Sequence, residues 1–182
     1  SRCMDFIYRV DVNGFKFLYE LLSISSGKLK CGEVSMVFKS RKYGKSKLDI
    51  AILWDFIVSL LHTISLRLLP RKAISFGLVG ISGIFVQLIS TEIIILILNL
   101  EFTRALPFSV LIAATSNYLI NNELTFRAKR LRNITLIKGL IKFLIVASLP
   151  VIANVGLATS FYNSFKVNSF WSQIAGIFVV FI

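Results

Sequence analysis

The stretch FGLVGISGIFVQLISTEIIILIL, residues 76–98, runs for 23 residues with no Lys, Arg or Asp and a single Glu. At about 1.5 Å per residue a helix of that length reaches roughly 35 Å, enough for a hydrocarbon core of about 30 Å. It therefore reads as a membrane-spanning helix and places the chain among integral membrane proteins. Polar groups inside such a segment are costly and mark function by default, which makes Gln87 and Glu92 candidates. Glu92, near the far end, also fits a packed or snorkelling carboxyl. Gly77, Gly80 and Gly83 fall at every third position, a spacing similar to small-residue helix contact faces.

Toward the C-terminus the pattern repeats. A second span is predicted over 105–120, with Thr125 and Phe126 as its interfacial end. A third covers 140–161 and contains Pro150, whose missing N–H frees a carbonyl one turn earlier and suggests a kink. A fourth begins at 170 and is unfinished at Ile182. Phe76-Gly-Leu-Val and Phe143-Leu-Ile-Val open the two pairs, a faint internal repeat. A mean hydropathy of +0.77 and 55% hydrophobic residues agree with the membrane class.

The charges orient this arrangement. Of 21 Lys and Arg, 13 lie in residues 1–72 and 6 in 127–142, while the other two loops hold only Arg104 and Lys166. The positive-inside rule then puts the N-terminal part and the 127–142 loop in the cytoplasm of a multi-pass protein of the inner (plasma) membrane, and four spans satisfy it. The net charge of +12 implies anionic partners, lipid headgroups or phosphates. Nucleic acid is excluded as the partner, because the basic residues border apolar segments and do not form a basic soluble domain. The bilayer is the first partner; a homo-oligomer is left open.

Upstream, residues 12–24 place Phe15, Leu18 and Leu22 at helical spacing, and 29–38 carry a strand signal weakened by Gly32. Together they form one αβ unit, too short for a domain by itself. Residues 39–47 then bring five Lys or Arg in nine positions. From 48 to 69 the chain is apolar but crossed by Asp55, Ser59 and His62 on one helical face; with basic clusters at both ends, it reads as an amphipathic helix lying in the interface. Cys3 and Cys31 have no metal-ligand company and read as free thiols. Both ends of the chain read as cut: it opens on Ser-Arg-Cys and stops inside an apolar run.

Two resemblances lie on these segments. Asn13-Gly-Phe-Lys-Phe-Leu-Tyr-Glu-Leu-Leu, Gly32-Glu-Val-Ser-Met-Val-Phe and Arg41-Lys-Tyr-Gly-Lys-Ser-Lys-Leu resemble the C-terminal part of polyprenyl-phosphate sugar synthases of the dolichol-phosphate mannose synthase type, family 2 glycosyltransferases with a GT-A fold. The Arg-x-x-Gly-x-Ser-Lys element matches in full at Arg41, Gly44, Ser46 and Lys47; Ser35 stands where that family has Pro. From Phe76 onward the chain resembles the GtrA-like four-span domains, through Phe76, Val79, Gly80 and Asn117-Tyr-Leu-Ile-Asn-Asn-Glu-Leu-Thr-Phe126. Asn122 and Leu124 depart from that pattern, which has Arg and Trp there.

The expected fold is therefore a mainly α-helical integral membrane protein. A remnant of a GT-A domain (1–47) precedes an interfacial helix and linker (48–72) and a four-helix GtrA-like domain (73–182). The resemblance implies a parent enzyme that transfers a mannose- or glucose-type sugar from a nucleotide sugar to a polyprenyl phosphate, with Mg or Mn held by residues outside this chain. No catalytic residue or metal ligand is assigned within it. Arg41, Gly44, Ser46 and Lys47 would bind the lipid phosphate through a planar fork, a compact charge, a hydroxyl and close backbone approach. Gln87, Glu92, Asn117 and Asn121 are the intramembrane candidates, with Asn117, Asn121 and Asn154 read first as cross-links between helices. The membrane domain would anchor the enzyme and present the lipid, or else carry the glycosylated lipid across the bilayer. A small transporter with a basic cytoplasmic tail is the reading from a different class, supported by Glu92 and Pro150.

Overall fold

The computed structural model describes residues 6–8, 10, 17–25, 28–37 and 50–181. The basic stretch 39–47, with Arg41, Gly44, Ser46 and Lys47, lies outside them. The chain divides into two compact units, Ser1–Arg71 and Lys72–Ile182.

In the first unit, α1 is Phe17–Ser25 and α2 is Ile50–Ile64. They meet through Tyr19 and Phe56, edge to face at 5.8 Å between ring centroids. Glu20, buried on α1, pairs with Arg71, and Arg67 donates to Ser23 Oγ at 3.3 Å. The polar stripe expected on α2 is only partly solvated. Ser59 is buried, and the half-buried His62 has its Nδ1 2.8 Å from the Leu69 carbonyl. The exposed residues include Leu53, Phe56, Ile57, Leu60 and Ile64, at spacings of three and four, so an apolar row faces outward.

The strand expected over 29–38 is absent from the described part of that segment. Residues 28–37 are irregular and mostly exposed, and no described residue forms a strand. An extended segment gains its hydrogen bonds only from a neighbouring strand, and β-propensity does not hold one in isolation. Among the described residues the αβ remnant is therefore a helix with an irregular tail.

The second unit is built from α3 (Arg71–Leu98), α4 (Phe102–Ile120), α5 (Asn133–Phe165) and α6 (Ser169–Phe181). α3 and α5 begin earlier than the apolar count placed them: Arg71 and Lys72 open α3, and α5 starts at Asn133 and takes in Lys138. A helix can extend past the hydrocarbon into the headgroup layer without leaving a backbone group unpaired. Short connections join α3 to α4 and α5 to α6. Asn99 and Lys166, both with left-handed φ near 50°, end the preceding helices. Asn168 Oδ1 accepts the Trp171 N–H at 3.0 Å, capping α6. Pro150 lies inside a continuous α5.

Between α4 and α5 the chain makes a π-turn, Asn121–Thr125, and a single 3-10 turn, Arg127–Lys129. Asn122 fastens this corner. Its Nδ2 donates to the Leu131 carbonyl at 3.1 Å and its Oδ1 accepts the Leu131 N–H at 2.8 Å. Tyr118 adds a bond to the Leu136 carbonyl at 2.9 Å, and its ring lies against Phe143.

The polarity of this unit is inverted relative to a protein that folds in water. Ile81, Phe85, Ile89, Ile93, Leu111, Ile141, Ile145, Val146 and Leu149 are all exposed, whereas Gln87, Thr91, Ser109, Asn154, Ser172 and Gln173 are buried. The described residues include two helices, α3 and α5, long and apolar enough to cross a membrane. An apolar exterior over a polar interior is the arrangement that hydrocarbon solvent selects, and the protein is a membrane protein.

Asn122→Ala removes both bonds to Leu131 and leaves backbone groups unpaired, at a cost of about 1–3 kcal/mol. Limited trypsinolysis in detergent should then cut at Arg127, Lys129 and Arg130 at least tenfold faster than in the parent; equal rates would mean that Asn122 does not hold the corner.

Candidate functional site

The buried face of α3 is unusually narrow. Ser75, Val79, Gly83, Gln87 and Thr91, one residue in four, are its buried positions. Three of the five side chains are polar, so α3 is tied to the other helices mainly by hydrogen bonds. Gln87 is 4% exposed; its Oε1 accepts from Asn154 Nδ2 on α5 at 3.2 Å and its Nε2 lies 3.5 Å from Gln173 Oε1 on α6. Thr91 Oγ1 sits 2.9 Å from Gln173 Oε1 and 2.6 Å from Ser109 Oγ on α4. One polar belt thus joins all four helices at mid-length.

On one side of the belt the bundle is filled. Phe102, Leu106, Val110 and Ala158 form an apolar cluster, with Ile95, Val155 and Tyr162 packed on it. On the other side, toward the 127–142 corner, it is not. A cavity of about 320 Å³ runs from Phe76, Asn121 and Val180 to Gln87 and Asn154. Gly77, Gly80 and Gly83 form its α3 wall, and Asn117 faces them from α4. A Cβ at Gly83 would collide with the Asn117 amide, whereas at Gly77 and Gly80 it would meet nothing within 4 Å. The glycines read as a contact face therefore border a space, and only Gly83 is a close approach.

No lining residue carries a charge. The polar groups are the amides of Gln87, Asn117, Asn121 and Asn154, and two of them have an unpartnered buried oxygen among the described residues, Asn117 Oδ1 and Asn154 Oδ1. Gln173 Nε2, just beyond in the belt, is likewise buried without a partner. Buried amide atoms without partners are rare enough to need a reason, and an intermittent ligand is one. Asn121 is held differently: its Oδ1 accepts from Thr125 Oγ1 at 2.7 Å, which lies 2.7 Å from Ser75 Oγ. The π-turn thus stitches α4 to the start of α3, and such turns recur at functional sites.

Of the residues singled out in the sequence, Gln87, Asn117 and Asn121 come together around this cavity. Glu92 does not. It is exposed on the far side of the belt, where its Oε1 accepts from Ser169 Oγ at 2.7 Å. Arg41, Gly44, Ser46 and Lys47 lie outside the described residues. Thr91, Ser109 and Gln173 were missed; Ser172-Gln173 inside the apolar run 170–181 was the available signal. Among the described residues no three His, Cys, Asp or Glu side chains gather to hold a metal ion.

The family description "GtrA/DPMS, transmembrane domain" matches residues 75–182. No curated protein and no solved structure matches the chain. The match takes in the whole four-helix unit except its first three residues, the glycine wall, the polar belt and the Asn117–Phe126 corner included, and it covers more than half of the sequence; the chain belongs to the GtrA/DPMS transmembrane-domain family.

Proposed function

We propose that the helical unit holds a polyprenyl-phosphate lipid for glycosyl transfer. In this reading a mannose- or glucose-type sugar passes from a nucleotide sugar to the lipid at the cytoplasmic face of the inner membrane. A lipid phosphate oxygen forms the new bond to the anomeric carbon as the bond to the nucleoside diphosphate breaks. The acceptor oxygen is already anionic, so the step needs positioning and charge compensation more than a general base. The observation that carries the reading is the uncharged, largely apolar cavity with four amides in its wall, in the basic half of a GtrA/DPMS bundle. An uncharged lining penalises a buried phosphate and suits a hydroxyl-bearing group. The anion would stay at the rim, near Lys72, Lys138 and Lys142, with the four-span orientation that the loop charges favour.

Arg41, Gly44, Ser46 and Lys47 are the proposed phosphate-binding set of the transferase side, a role that rests on their spacing alone. α2, with its exposed apolar row, would keep them at headgroup depth. Presentation of the lipid is preferred to its passage across the bilayer, because the Phe102–Ala158 cluster packs the bundle beyond the belt. Translocation is the second reading, favoured by the polar groups that reach mid-length. A vesicle assay on the full chain with polyprenyl-phosphate hexose separates the two: movement between leaflets above the protein-free rate decides for translocation.

Asn117 has an unpaired Oδ1, so Asn117→Leu should leave thermal stability in detergent unchanged or higher and weaken binding of polyprenyl-phosphate hexose at least tenfold; unchanged binding would remove the cavity from the reading. In the intact enzyme, Arg41→Ala should cut transfer to lipid at least a hundredfold while nucleotide-sugar binding stays within twofold. Transfer that survives would show that Arg41 does not hold the phosphate.

A further inference from the structure

Beside the amide cavity lies a second space of a different character. It occupies about 260 Å³ between α3 and α6 and is lined by Gly77, Ile81, Ile84, Ile174, Ile177 and Phe178. None of these side chains has a polar atom. Gly77, Ile84 and Ile177 also line the amide cavity, so the two spaces share a wall. At its outer side Ile81 is 54% exposed and Phe178 65%, whereas Ile177, at the shared wall, is 8% exposed. The space is therefore a slot from the apolar outer face of the bundle to the flank of the cavity that carries the four amides.

We infer that this slot takes the apolar chain of the polyprenyl lipid whose phosphate is held at the rim of the cavity, and that the lipid comes in sideways between α3 and α6. The inference rests on the polyprenyl reading above and adds the route. A ligand with one polar end and one long polyprenyl chain cannot lie wholly in the cavity, because about 320 Å³ holds a head group and not the whole chain. Leaving through the slot keeps every methylene against Ile or Phe, and each one stays in surroundings as apolar as the bilayer. Gly77 borders both spaces, and a Cβ there would meet nothing within 4 Å, so the two are open to each other's flank at this point. Gly77 sits within about two turns of Lys72 on α3, so the first units of the chain lie close below an anion held at the basic rim. The weak tie between α3 and α6, a Gln87–Gln173 contact of 3.5 Å with the shorter Thr91–Gln173 bond one turn beyond, lies past the inner end of the slot and not across it.

The test uses the full chain in nanodiscs with a polyprenyl phosphate that carries a diazirine in its first isoprene units. A phosphatidylglycerol with the same group in its acyl chain is the comparison. Irradiation should label residues 77–84 and 174–178 saturably with the prenyl probe, and excess unlabelled polyprenyl phosphate should remove at least 80% of that label. Ile177→Trp, which fills the inner slot, and Ile81→Trp, at its exposed mouth, should each lower the label at least fivefold; Phe85→Trp, on the outer face of α3, should not change it. Label from both probes in the slot without competition would make it a general acyl-lipid groove and overturn the inference. Saturable prenyl label confined to α4 or α5 would also overturn it and leave the polyprenyl reading standing. Absence of saturable label anywhere would remove both.

Discussion

A polar side chain in hydrocarbon has no water to bond, so it must find its partner on another helix, and the helical unit is arranged around that requirement. Gln87 and Thr91, one turn apart on the narrow buried stripe of α3, reach Ser109 on α4, Asn154 on α5 and Gln173 on α6. Such bonds average only about 0.6 kcal/mol each inside membranes. They set which faces meet and at what height. Moving α3 by one residue along its axis would carry Gln87 out of reach of both amides and strand them.

The same narrowness explains the empty half. A helix that buries one residue in four offers little volume, and between Ser75 and Gln87 the buried positions are filled only by Val79 and Gly83. Gly77 and Gly80 add no side chains. The space left open coincides with the amides of Asn117 and Asn154 that have unpaired oxygens, and with the end of the bundle where the cations gather. Loose packing and two of the four unpartnered buried side-chain atoms among the described residues coincide here, the other two being Thr159 Oγ1 and Gln173 Nε2.

The helices were legible because length and apolarity decide them locally: 76–98 reads as a helix whatever it touches. The strand at 29–38 was not, since a strand exists only with a partner and no described residue supplies one. The site was half legible. Gln87, Asn117 and Asn121 stand out as polar residues in apolar runs. Their convergence with Gln173, 86 positions from Gln87, is set by how the hairpins meet, which no local pattern encodes. Asn122 is the instructive case. As a departure from the resembling pattern it looked like the loss of an Arg, and in the structure the shorter amide forms a two-bond clasp on Leu131 that a guanidinium, having donors only, could not reproduce.

The order of helix character along the chain bears on how the protein enters its membrane. α3 and α5, the two helices long and apolar enough to partition by themselves, each precede a weaker one: α4 carries Arg104, Ser109, Thr115, Ser116 and Asn117, and α6 carries Ser172 and Gln173. During synthesis the stronger helix of each pair emerges first, and the weaker one follows with its polar groups already facing a partner. Thr91 is in place before Ser109 appears, and Gln87 and Thr91 before Gln173. The polar residues of α4 and α6 thus find their partners on α3, which precedes both in the chain.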